Sequence, residues 1–121
     1  VLIALWIING LLALAFLMVG ITKLVRPREA LSASGMGWVE DFSGGTVRAI
    51  GALEALGALG LILPLLTGIA PVLSPISAVG LVLVMIGAII VHSRRKEPFV
   101  PQIGLLVLAI ASAVLGYLVV L

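Results

Sequence analysis

Four ionisable side chains stand inside apolar runs or at their ends: Lys23, Arg48, Glu54 and His92. A carboxylate in such a setting is costly unless a cation or a hydrogen-bond donor holds it. Beside an imidazole it can pass a proton or hold the polar head of a quinone. Beside a lysine or arginine it can simply be an ion pair that fixes helix register. The acid lies in RAIGALEALGALGLILP, Arg48 to Pro64, six residues after Arg48. On a helix that is about 9 Å deeper and ~120° round from Arg48. Lys23, on another segment, is therefore the first expected partner of Glu54, and Arg48 the second. His92 ends a third apolar segment and completes the expected cluster of Lys23, Arg48, Glu54 and His92. Both readings of this cluster, ion pair and ligand or proton site, stand at this point.

Other chemistries are narrower. The chain has no cysteine, so it has no disulfide, thiolate nucleophile or thiol relay of its own. Its single histidine cannot supply two axial haem ligands. No P-loop, metal-ligand spacing or nucleophile–base arrangement is present, so no catalytic or metal residue is expected.

The elements that position the cluster follow from composition. Of 121 residues, 63% are apolar and 10% charged. The mean hydropathy is +1.40. Too few polar residues remain to coat a water-soluble domain of this size, and lipid can replace that coat. A basic pI of 9.7 rests on seven Lys/Arg against five Asp/Glu and reads as membrane topology, not as a nucleic-acid footprint. No cleavable signal peptide is expected, because Val1 opens directly into an apolar run.

Apolar stretches of about 20 residues span a hydrocarbon core of ~30 Å. Four such stretches occur, at approximately 2–22, 46–63, 75–91 and 101–120. Helices are the expected form, because every backbone polar group must be satisfied within the segment. Pro75 and Pro101 suit first helical turns, and Pro64 is expected to stop the second span. The fold class is therefore all-α: one integral membrane four-helix bundle of up-down topology. The first and third connections carry all seven basic residues, Lys23, Arg26, Arg28 and Arg48, then Arg94, Arg95 and Lys96. By the positive-inside rule these connections face the cytoplasm and both termini face out, in the cell's inner (plasma) membrane. The long first connection, 26–45, is an interfacial linker or a lid, with a short helix from Pro27 to Ala33 and with Trp38 and Phe42 at the interface.

At 100° per residue the polar and small residues fall on stripes. Asn9, Ala13, Phe16, Gly20 and Lys23 share one face. Ile50, Gly51, Gly57, Ala58 and Leu61 flank Glu54, while Leu53, Leu56 and Leu63 point to lipid. Ser74, Ala78, Leu81, Met85, Ala88 and His92 align, as do Gln102, Ala109, Ala113 and Gly116 with Ser112 and Tyr117 beside them. Membrane helices pack through small residues, so Gly20, Gly51, Gly57 and Ala58 are expected at helix contacts.

GITKL, RAIGALEALGALGLILP and SPISAVGLVLVMIGAIIVH together resemble the DoxX-like family of small four-helix membrane proteins. Its pattern falls on Gly20, Lys23 and Leu24, on Arg48, Gly51, Glu54, Gly57 and Pro64, and on Gly87 and His92. The resemblance implies an accessory subunit of a membrane redox or respiratory complex, because the family is named for a subunit associated with thiosulfate:quinone oxidoreductase and quinol-oxidase systems. A quinone or lipid site near Glu54 follows as an expectation, with quinone the one cofactor implied. Expected partners are the bilayer, other membrane subunits or further copies of the chain, and no nucleic acid. Two alternatives remain. One is a proton-coupled transporter like the small multidrug-resistance proteins, which place their essential glutamate in the first helix instead of the second. The other is a purely structural assembly protein.

Overall fold

A computed structural model describes residues 1–121 and contains helices and no strand. Helix α1 is Leu2–Val25, the short α2 is Arg28–Ala33, and a 3-10 turn covers Gly37–Asp41. Helices α3, Gly44–Thr67, α4, Leu73–Arg94, and α5, Val100–Val120, complete the chain. Four of these helices are long and apolar enough to cross a membrane. They close a ring in which α1 packs on α3, α3 on α4, α4 on α5 and α5 back on α1.

Only 23 of the 121 residues are buried, which is too small a core for a water-soluble protein. The outer faces carry rows of exposed aliphatics: Ile7, Leu11, Leu14 and Met18 on α1, Leu53, Leu56 and Leu63 on α3, and Val107, Ile110, Val114 and Leu118 on α5. An apolar belt of this extent suits lipid. The inner core is Leu12, Phe16, Ala58, Leu61, Ala78, Leu81, Met85, Ala109 and Ala113.

Helix α3 departs from the expected 46–63 at both ends. It begins at Gly44 because Ser43 caps it, its Oγ accepting from the Thr46 amide at 3.1 Å. It also passes through Pro64 and ends at Thr67, where Gly68 adopts φ 72° and returns its amide to the Pro64 carbonyl. An interior proline removes the N–H that the carbonyl four residues earlier would take, here Gly60. Neighbouring helices make the break tolerable. The Leu61 carbonyl, one residue on, accepts from Asn9 Nδ2 of α1 at 3.1 Å and from Ser74 Oγ of α4 at 2.9 Å. Ser112 Oγ of α5 donates to Asn9 Oδ1 at 2.5 Å. One polar knot thus ties all four long helices together one turn before Pro64.

At the other end of the bundle, α2 and the 3-10 turn fold over the helix ends around Leu31, Val39 and Val47. Asp41 in this segment accepts from Arg95 Nη1, at the end of α4, at 2.7 Å. Hydrogen bonds to Asp41 and then to Glu97 raise the Arg95 pKa above the usual arginine value, so the tie stays charged.

Candidate functional site

Gly20 and Gly51 set the site's central distance. A Cβ on Gly20 would lie 2.6 Å from the Gly51 carbonyl oxygen, and one on Gly51 would lie 2.7 Å from that of Gly20. Only bare backbone fits at this crossing. Lys23 and Glu54 each follow their glycine by three residues, about one helical turn, and so face one another just beyond it. Lys23 Nζ donates to Glu54 Oε1 at 2.5 Å, with side-chain exposures of 8% and 2%. A pair this dry holds its geometry without competition from water. Lys23 also lies over the Trp38 ring, 5.0 Å from its centroid.

Beside this pair is a cavity of about 450 Å³, within the range of small-molecule sites. Phe16, Leu83, Met85 and Leu105 give it apolar walls, and Lys23, Glu54, His92 and Gln102 are its polar groups. Met36, Trp38 and Phe42 of the folded-over connection form the cover. Trp38 and Phe42 meet edge to face, with centroids 5.8 Å apart. The wall residues Leu83 and Gly87 are exposed on the outer face of α4, and Gly35 of the connection is exposed as well, so the cavity reaches both the bundle's side and its cover. Gln102 Oε1 is buried and accepts no hydrogen bond. An orphaned acceptor facing an apolar hollow is a place for a ligand donor.

The four residues singled out from the sequence are not all gathered here. Lys23 and Glu54 pair, and His92 lines the same cavity. Its Nδ1 meets Glu97 Oε1 at 3.0 Å, not Glu54. Arg48 is exposed and lines a separate hollow outside the cover. It lies ~120° round the helix from Glu54, as the spacing required. Gly57 packs on Leu81, whose Cδ2 would be 2.8 Å from an added Cβ, and Ala58 is buried in the core.

Several participants were not assigned from sequence. Glu97 as the histidine's partner has only its five-residue spacing as a signal. Trp38 and Phe42 read as interfacial anchors, whereas they roof the cavity. Asn9, Ser74 and Ser112 lie on the inward stripes, but their meeting, with Asn9 and Ser74 on the Leu61 carbonyl and Ser112 on Asn9, depends on which helices come opposite.

Apolar helices, a belt of exposed aliphatics and polar groups confined to the interior define a small integral membrane protein of four long helices. Residues 7–114 match the model of the DoxX-like family, and the chain belongs to that family. No curated protein and no solved structure matches it.

Proposed function

We propose that the protein is an accessory subunit of a membrane redox or respiratory complex, and that the cavity beside Glu54 holds the headgroup of a quinone. The observation that carries this reading is the cavity itself: a hollow of about 450 Å³ with apolar walls, polar groups at defined points, and exposed wall residues, Leu83 and Gly87, on the outer face of α4. A quinone reaches its site from the membrane, so a wall exposed on the bundle's side suits it. Its carbonyl oxygens would accept from the Lys23 ammonium or the His92 ring. A quinol hydroxyl would donate to the orphaned Gln102 Oε1. The accessory role is supported by the family resemblance and by the lack of any catalytic constellation in the sequence.

The bundle in this reading is up-down, with both termini outside and the basic connections in the cytoplasm of the plasma membrane. Two contacts support the alternation. Lys23 near the end of α1 meets Glu54 early in α3, and Asn9 near the start of α1 meets Leu61 late in α3. Partners are other membrane subunits or further copies of this chain.

The test is purification in mild detergent, then solvent extraction and mass spectrometry for quinone, with identification of partner chains in a native pull-down. Bound quinone that is reduced by Glu54→Gln or Gln102→Leu supports the site. Quinone binding that is indifferent to both substitutions removes it. Proton-driven efflux that is lost in Glu54→Gln while the fold persists would instead favour a transporter.

A further inference from the structure

The first connection carries a second concave site, on the outer side of the cover and separate from the quinone cavity. A hollow of about 480 Å³ lies between the end of α1, the start of α2 and the first turn of α3. Its charged lining is Lys23, Arg26, Arg28 and Arg48 against one acid, Glu29. The chain's ion pairs engage Lys23 with Glu54, His92 with Glu97, and Arg95 with Asp41 and Glu97. None uses Arg26, Arg28 or Arg48. Arg28 donates to the Phe42 carbonyl at 2.7 Å, which anchors it without neutralising it. Three arginines thus line one hollow without a carboxylate partner.

The position of Arg48 is an independent sign. Its Nη2 lies 3.8 Å from where a Cβ on Gly44 would sit, so the guanidinium folds back over the first turn of its own helix. That end of a helix carries partial positive charge and disfavours a cation. With Arg26 and Arg28 lining the same hollow, Arg48 adds to a local concentration of positive charge that a bound anion would offset. With an anion present the same arrangement becomes attractive, because guanidinium forks and helix-start amides are all donors.

We infer that this hollow binds the phosphate group of a membrane phospholipid. Phosphate matches the planar forks of several arginines better than a single carboxylate does. The choice of lipid over free phosphate comes from the rest of the lining. Leu24 and Val25 are exposed at its edge, 37% and 72%, and continue into the exposed Ile21 and Met18 on the outer face of α1. A headgroup in the hollow would lay its acyl chains along that face. The bound lipid would brace the first connection, which also roofs the quinone cavity.

The test is native mass spectrometry of the protein released from vesicles of mixed phosphatidylglycerol and phosphatidylethanolamine. The wild-type chain is compared with Arg26→Gln/Arg48→Gln, with Arg48→Lys, and with the charge-matched control Arg94→Gln/Lys96→Gln. Retained phospholipid is expected to fall roughly fivefold per arginine removed. The control should keep wild-type retention, because its residues lie outside the hollow. Arg48→Lys, which keeps the charge and loses the fork, should fall between. Millimolar inorganic phosphate should not displace the lipid. Circular dichroism and size exclusion confirm that each variant is folded. Equal lipid loss in the hollow and control variants would overturn the site in favour of diffuse surface charge. Displacement by inorganic phosphate would overturn the assignment to lipid.

Discussion

Lys23 and Glu54 are the residues on which the account turns. Each is buried, and each has the other as its only charged partner at 2.5 Å. Removing one leaves the other uncompensated in a low-dielectric site, so Lys23→Met or Glu54→Leu alone should cost about 3–5 kcal/mol of stability. The double replacement should recover most of that loss. A double-mutant cycle on unfolding in detergent measures both, and additive losses would mean the pair does not interact. Asn9 is the second such residue. Asn9→Leu strands the donor of Ser112 and takes one donor from the Leu61 carbonyl, at an expected cost of about 1–2 kcal/mol. Ser112→Ala should cost less, because Asn9 keeps its bond to Leu61. At this scale the sequence was partly legible. The Lys23–Glu54 contact follows from two helical stripes that each carry one charge. The pairing of His92 with Glu97 does not follow, because it depends on how the chain turns after α4. There Lys96 adopts φ 56° and the Glu97 amide bonds back to the His92 carbonyl.

At the scale of elements, glycine placement separates packing from cavity. Gly20 and Gly51 touch the opposing backbone, and a methyl at either must push α1 and α3 apart. Gly51→Ala should therefore lower the melting temperature in detergent and loosen the Lys23–Glu54 pair. Gly87 has nothing within 4 Å of an added Cβ and lines the cavity wall. Gly87→Leu should leave stability near wild type while narrowing the cavity, so melting and ligand retention should separate between the two variants. Two stretches of the sequence, LMVGITKLVRPRE and VMIGAIIVHSRRKE, are alike and place Gly20 and Gly87 at matching positions, yet one is a helix crossing and the other a pocket wall. Local pattern could not tell them apart, because the difference lies in which helix comes opposite. The four spans were readable from the length of the apolar runs, and their inward faces from periodicity. The extension of α3 through Pro64 was not, since a proline ordinarily ends a helix and only the packing of neighbouring helices lets this one continue.

As a whole molecule, the chain is a thin bundle whose two ends differ in kind. One end is held by the Asn9–Ser74–Ser112 knot on the Leu61 carbonyl. The other holds the buried ion pair, the cavity and the basic connections under a tied-down cover. The cover's tie is the Arg95–Asp41 pair, half-exposed on the acid side, so Asp41→Asn should have little effect on global stability. It should raise proteolysis within residues 28–42, which limited digestion reads directly. The central claim is that the cavity beside Glu54 is a quinone site and not a packing defect. The most direct measurement is the molar ratio of extracted quinone to protein in purified wild type and in Gly87→Leu. Quinone near one per chain is expected in the wild type, with a clear loss in the variant and melting unchanged. Absence of quinone from the wild type, or equal quinone in both proteins, would contradict it.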